Sequence, residues 1–203
     1  AELRRKQQSL LKKYAPALNR AQRRSKTAQD LKTFDRRKFL DAMTAGFQAE
    51  VDKVGVLSLS ESPDEVLLWS HYAASHTGLC LGFSVATDAA FFAPAQPVTY
   101  TAEYPEIDLL RDPAMRHVEA FLLTKAAGWK YENEWRIIDH HIGPGEKAFL
   151  PKALVKVILG ARMSPDDRRF VAECLKERKD EVSVFESSAN PGSYSLDIRP
   201  YEP

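Results

Sequence analysis

Apolar residues recur at helical spacing through the first 55 positions. Leu10, Tyr14 and Leu18 fall at every fourth residue, and Leu40, Met43, Phe47 and Val51 follow at intervals of three to four. One buried stripe per amphipathic helix produces that period. Pro16 divides the first helix, because its ring blocks the helical hydrogen bond. The polar residues 25–30 are expected as a turn or linker. Residues 54–60, Val-Gly-Val-Leu-Ser-Leu-Ser, then switch to a short apolar run that predicts a strand. In Ser62-Pro63-Asp64-Glu65 a hydroxyl, a proline and an acid stand where a helix start uses them, so a helix is expected over residues 63–75, stopped by a left-handed Gly78.

Strands are expected at 79–85 and 97–104, separated by a turn at 93–96. Asp112-Pro113 opens another helix, whose Met115, Val118, Phe121, Leu122 and Lys125 keep helical spacing until Gly128. A strand over 131–139, a turn at Gly143-Pro144-Gly145 and an antiparallel partner at 147–150 follow. The end repeats this grammar: a strand at 155–159, the capped helix start Ser164-Pro165-Asp166-Asp167 running to about Arg178, and strands at 182–185 and 194–199. Helices and strands in this irregular order predict an α+β fold, a mixed, largely antiparallel sheet with flanking helices. The expected division is a basic helical N-terminal region, residues 1–50, and an α+β core domain, residues 51–203.

Composition narrows the picture. The chain has 203 residues, 44% hydrophobic and 28% charged, values of an ordinary globular protein. No apolar stretch reaches the roughly 18 residues that span a bilayer, so no membrane partner is expected. Cys80 and Cys174 lie too far apart in sequence for a C-x-x-C pair. Two such cysteines fit a reducing, cytoplasmic setting and exclude zinc held by cysteines. A chain beginning at Ala1 is expected to be processed or cut from something longer. The net charge of +1 hides an asymmetry: residues 1–38 carry 13 Lys/Arg against Glu2, Asp30 and Asp35, a surplus of ten, which leaves the remainder nine negative. A basic arm of this kind is a candidate nucleic-acid contact, or it folds onto the acidic body it complements.

Two segments concentrate reactive side chains. In Trp69-Ser70-His71-Tyr72-Ala73-Ala74-Ser75-His76 the two histidines stand about 140° apart around a helix, on different faces. That spacing argues against a metal site, and no metal ligands are assigned. In Tyr131-Glu132-Asn133-Glu134-Trp135-Arg136, strand alternation places Glu132, Glu134 and Arg136 on one face, neighbours about 7 Å apart. Like charges at that distance can separate two pKa values and give the carboxylates different roles. The competing reading is a solvated strand face in which Arg136 pairs with Glu134 or with an acid across the sheet. Trp69, Trp129 and Trp135 are expected in the core, and Cys80 as an inert buried thiol.

The motifs Leu68-Trp69-Ser70-His71-Tyr72-Ala73, His76-Thr77-Gly78-Leu79-Cys80 and Lys125…Trp129-Lys130-Tyr131-Glu132-Asn133-Glu134-Trp135-Arg136 resemble bacterial domain-of-unknown-function family 2971. The resemblance covers about residues 50–200. The family's first strand, with its K-Y-R-like motif, has no counterpart here, which implies a fragment or a replaced first segment. A second resemblance, to ADP-ribosyltransferases of the Arg-Ser-Glu type, rests on Ser58-Leu59-Ser60 and Glu132-Asn133-Glu134, with the arginine-bearing strand absent. It implies a bacterial defence, toxin or stress enzyme that consumes NAD as substrate and holds no bound cofactor. In that scheme Glu134 stabilises an oxocarbenium-like ribose and Glu132 orients or deprotonates the acceptor. His71 and Tyr72 complete the candidate catalytic set, and Ser58, Ser60, Trp69, His76, Tyr131 and Arg136 the substrate-binding set. Two alternatives stay open: a non-catalytic module binding a small nucleotide, a protein or a nucleic acid, and a metal-dependent hydrolase or nuclease.

Overall fold

A computed structural model of the chain describes residues 2–105 and 114–202. In chain order it runs α1 (Glu2–Tyr14), α2 (Arg20–Lys32), α3 (Arg36–Val51), β1 (Gly55–Ser60), α4 (Val66–Tyr72) and β2 (Leu79–Phe83). Then come α5 (Ala89–Phe92), β3 (Gln96–Pro97), β4 (Thr99–Thr101), α6 (Ala114–Leu122) and β5 (Thr124–Ala126). A 3-10 helix, Ala127–Glu132, leads into β6 (Glu134–Asp139), and β7 (Leu154–Leu159), α7 (Pro165–Lys176), β8 (Ser183–Ala189) and β9 (Leu196–Pro200) close the chain. The fold is α+β, as the order of elements predicts. The chain divides into two compact units, residues 1–53 with 105–122, and residues 54–104 with 123–203.

The first unit is helical. Asn19 closes a capping box with Gln22, each side chain accepting the other's backbone N–H, and so starts α2 just beyond Pro16. The linker expected at residues 25–30 is instead the middle of that helix. Thr27 is buried there, its hydroxyl donating to the Arg23 carbonyl at 2.8 Å, so a polar run reads as helix once its hydroxyl finds a partner one turn back. The Asp35 carboxylate caps α3 by accepting from the Arg37 and Lys38 amides. The expected apolar stripes are only partly covered: Leu10 and Leu40 stand exposed. Phe47 of α3 meets Phe121 of α6 edge to face at 5.5 Å. The helix start at Asp112-Pro113 lies outside the described residues.

The second unit carries three small sheets, ordered β1-β6-β3, β2-β7-β8-β9 and β4-β5. Pairing is antiparallel except for β7 with β8 and β4 with β5. Strand β7 is apolar on both faces over Val157, Ile158 and Leu159, where both are covered, whereas Val155 and Lys156 are exposed. Ile158 packs with Trp69 and Leu196 beside α4, whereas Val157 and Leu159 pack with Met163 and the α7 residues Val171 and Leu175. Helix α7 starts at its expected cap, the Ser164 hydroxyl accepting from the Asp167 amide at 3.1 Å.

Several local expectations fail for identifiable reasons. Helix α4 is one turn shorter at its start than the cap signal implies. Glu65, not Ser62, supplies the cap by accepting from Leu67, because the Ser62 hydroxyl is occupied by the Asn133 side-chain amide at 2.8 Å. The left-handed residues after α4 are Ala74, Ser75 and His76, with φ of 47°, 55° and 70°, in place of Gly78. Each costs about 1 kcal/mol or more for a residue with a Cβ, and hydrogen bonds from Gly160 to the Gly78 carbonyl and from Arg162 to the His76 carbonyl, both 2.9 Å, hold the turn. Lys125 belongs to β5, not to a helix reaching Gly128. Tyr131 and Glu132 lie in the 3-10 helix, so β6 begins only at Glu134. Residues 147–150 form no strand. Lys147 instead reaches the Asp139 carboxylate at 3.4 Å and the Leu150 amide donates to Asp88 at 2.7 Å.

A Cβ built on Gly160 would stand 2.2 Å from the His76 carbonyl oxygen and 2.6 Å from that of Gly78, whereas one on Gly128 meets nothing within 4 Å. Gly160→Ala is therefore expected to lower unfolding free energy by about 2 kcal/mol, and Gly128→Ala to leave it within about 0.5 kcal/mol, both measured by urea denaturation.

Candidate functional site

Asn133 organises the site. Its left-handed backbone, φ 43°, ends the 3-10 helix and turns the chain into β6. Asparagine tolerates that region better than most residues. Its carbonyl accepts from Glu61 and its side chain reaches Ser62, which ties the turn to the end of β1. Because Glu132 precedes this turn and Glu134 follows it, the two are not successive positions of a strand face. Both carboxylates nonetheless converge on one ammonium.

That ammonium is Lys125, presented by β5. It pairs with Oε2 of Glu132 and lies 3.0 Å from Oε2 of Glu134. Arg136, two residues along β6, grips Glu134 with both ends of its guanidinium, Nε to Oε1 at 2.8 Å and Nη2 to Oε2 at 3.1 Å. Ser58 stands opposite Arg136 across the β1–β6 ladder, and its hydroxyl contributes to holding the same carboxylate ionised. The Tyr72 hydroxyl at the end of α4 donates to Oε1 of Glu132 at 2.9 Å. The Glu134 amide donates to the Tyr100 hydroxyl at 2.8 Å, and Ser60 donates to the Glu132 carbonyl at 2.6 Å. Two carboxylates at 2% and 6% exposure are thus balanced by two cations, as burial requires. The solvated strand face does not occur, although the Arg136–Glu134 pair expected with it does.

The charges set the protonation states. Burial pushes the Glu134 carboxyl upward, but hydrogen bonds from Arg136, Ser58 and Lys125 more than reverse this and bring it down to about 2. Burial lowers Lys125, and its contacts with Glu132 and Glu134 outweigh that, so its ammonium is held above the ordinary lysine value. Burial, then the Glu132 hydrogen bond, raise Tyr72. At neutral pH Glu134 is therefore a fixed anion, Lys125 a fixed cation and Tyr72 a hydroxyl donor. None of the three is poised for proton transfer.

Aromatic rings border the cluster. Tyr72 is 66% exposed, His71 lies beside it at 6.2 Å between centroids, and Trp129 is 5.8 Å from His71 and 6.0 Å from Tyr131. The Lys125 ammonium sits 5.1 Å from the Trp129 ring centroid. Trp129, at 37% exposure, is a rim residue and not the core residue its size suggests. Of the sequence-derived candidates, Glu132, Glu134, Arg136, Ser58, Tyr72, His71 and Tyr131 come together here. Ser60 supports the turn from behind. Trp69 and His76 do not join: Trp69 is buried with its indole N–H on the Pro63 carbonyl at 2.7 Å, and His76 stacks on it and bonds Ser70 at 3.0 Å.

Sequence reasoning missed Lys125 as the centre and Tyr100 as a support. The signal for Lys125 was its fixed distance from Trp129 and Glu132 in the second motif; Tyr100 had none. No group of three or more potential metal ligands occurs among the described residues. A separate cavity of about 280 Å³, floored by Leu159, Val171, Leu175 and Val184, lies between α7 and the four-stranded sheet and contains no member of this cluster.

A family model described as "Protein of unknown function (DUF2971)" matches residues 68–137. That stretch contains Tyr72, Lys125, Glu132, Glu134 and Arg136, so it holds the whole charged cluster apart from Ser58. No curated protein and no solved structure matches the chain.

Lys125→Met leaves two buried carboxylates short of a cation and is expected to cost about 3 kcal/mol. Adding Glu132→Gln is expected to recover part of that loss, a coupling read from a double-mutant cycle in urea. The depressed Glu134 value also fixes a sign. Its contribution to stability is full above the ordinary carboxylate value near 4.5 and is lost as pH falls from there toward 2. Glu134→Gln should therefore flatten the acid limb of the stability profile across that window.

Proposed function

We infer that this cluster serves N-glycosidic chemistry on a dinucleotide of the NAD class, as ADP-ribosyl transfer or hydrolysis. The observation that carries the reading is a buried Glu134 held ionised by Arg136 and Lys125, with Ser58 opposite Arg136 on the neighbouring strand. Loss of nicotinamide leaves positive charge on the ribose, and a preorganised anion stabilises that charge more in the transition state than before it. A planar ring has the exposed face of Tyr72 to stack on, with His71 beside it.

The hydrogen-bond arrangement refines the assignment of roles. A carboxylate offers about four acceptor positions. On Glu134 two are taken by Arg136 and one by Lys125, with Ser58 beside the fourth. On Glu132 the side-chain partners are Tyr72 and Lys125, which leaves acceptor capacity. Glu132 is thus the carboxylate with room for a ribose hydroxyl, reached by displacing Tyr72, and Glu134 supplies the fixed charge behind it.

A second reading, recognition of the same ligand without turnover, is favoured by the charge balance. Lys125 and Arg136 offset the two carboxylates, and a compensated cluster stabilises a developing cation less than a bare one does. The same arrangement would then form the charged floor of a binding site rimmed by Tyr72, His71 and Trp129.

Incubation of the chain with NAD, following nicotinamide release by chromatography and binding by calorimetry, separates these readings. Glycosidic cleavage predicts release that falls about 100-fold or more in Glu134→Gln and in Glu132→Gln. Binding alone predicts no release, with heat of binding that disappears in Tyr72→Ala. Neither release nor binding would reject both.

A further inference from the structure

We propose that the helical pair α1–α2 binds the phosphate backbone of duplex nucleic acid without regard to base sequence. Between Arg4 and Lys32 the chain carries ten Lys/Arg and one acid, Asp30. The two helices pack on each other, and the Asp30 carboxylate is engaged by the Gln7 amide at 2.7 Å across that packing. The one acid is thus spent on joining the helices. Arg4, Arg5 and Lys12 on α1 and Arg20, Arg24 and Lys26 on α2 are all exposed, and none has an ion-pair partner among the described residues. Folded order comes from elsewhere: the Asn19–Gln22 capping box, the buried Thr27, and Arg23, which donates to the Leu18 carbonyl between the helices. The remaining cations are therefore held on a preformed support at no further ordering cost, which suits a rigid polyanion.

The chemistry favours nucleic acid over a lipid surface. A helix that enters a bilayer interface presents an open apolar face opposite its basic one. On α2 the exposed positions besides the cations are Ala21, Gln22, Ser25, Ala28 and Gln29, and on α1 a single apolar side chain, Leu10, is exposed among the described residues, short of the continuous apolar face that inserts. Helix α2 carries no aromatic residue, so its exposed cations offer contact to a phosphate backbone and not stacking on bases.

The test uses the full chain and a fluorescent 20-base-pair DNA duplex in anisotropy titrations from 50 to 200 mM KCl. Arg24 and Lys26 stand about 200° apart around α2, so one duplex face is met by Arg4, Arg5, Lys12, Arg20 and Arg24; five phosphate contacts predict an affinity that falls about 500-fold over that range, with equal affinity for a scrambled duplex. The exposed substitutions Lys12→Gln, Arg20→Gln and Arg24→Gln together should reduce the salt slope by about three units while helicity by circular dichroism stays unchanged. Vesicles containing 30% phosphatidylserine serve as the second polyanion. Binding to vesicles but not duplex, absence of duplex binding at 50 mM KCl, or a triple variant with the parent's affinity and slope would each overturn the proposal. Because the catalytic cluster is untouched by these substitutions, their outcome is independent of any result with NAD.

Discussion

The Lys125 ammonium is the fixed point on which the second unit's charged interior depends. Two carboxylates two residues apart can be buried together only if positive charge reaches both, since an unpaired buried carboxylate costs several kcal/mol or takes up a proton. Lys125 reaches both from β5, and Arg136 completes the compensation along β6. The left-handed Asn133 makes this possible by turning Glu132 out of the strand and back toward the same cation. Tyr72 and Tyr100 then fill acceptor or donor positions that water would otherwise take. The result fixes protonation as well as geometry: Glu134 ionised, Lys125 charged, Tyr72 protonated.

Part of this was legible in the sequence and part was not. Alternation along Glu134-Trp135-Arg136 places Glu134 and Arg136 on one face, so that pair follows from strand period, whereas Ser58 comes opposite Arg136 only through the β1–β6 register. The capped start of α7 and the doubly apolar β7 were equally readable, because a local cap and a short apolar run need no distant partner. The convergence of Glu132 depended on a single left-handed asparagine, which leaves no periodic trace. Ser62 had the local grammar of a helix cap, yet its hydroxyl is claimed by Asn133, 71 residues away. Lys125 kept helical spacing with Phe121 and Leu122 while serving in a short strand beside β4. In each miss a tertiary partner outweighed a local preference worth about 1 kcal/mol.

The family match over residues 68–137 encloses the cluster and its aromatic rim but not the basic helices. The chain thus joins two chemically distinct surfaces: a compensated charge cluster bordered by Tyr72, His71 and Trp129, and a helical pair crowded with lysine and arginine. The first suits a small ligand with a planar ring, since its charged groups sit at low exposure behind exposed rings. The second spreads its cations along two helices whose acids are Glu2 and Asp30.

The most direct measurement of the central claim is a carbon-13 NMR titration of the glutamate carboxyl groups, in the parent chain and in Lys125→Met. If Lys125 is the shared cation, the Glu134 carboxyl remains ionised down to about pH 2 in the parent, and its titration moves upward in the variant. A Glu134 carboxyl titrating near 4.5 in the parent, or one unmoved by the loss of Lys125, would contradict the account.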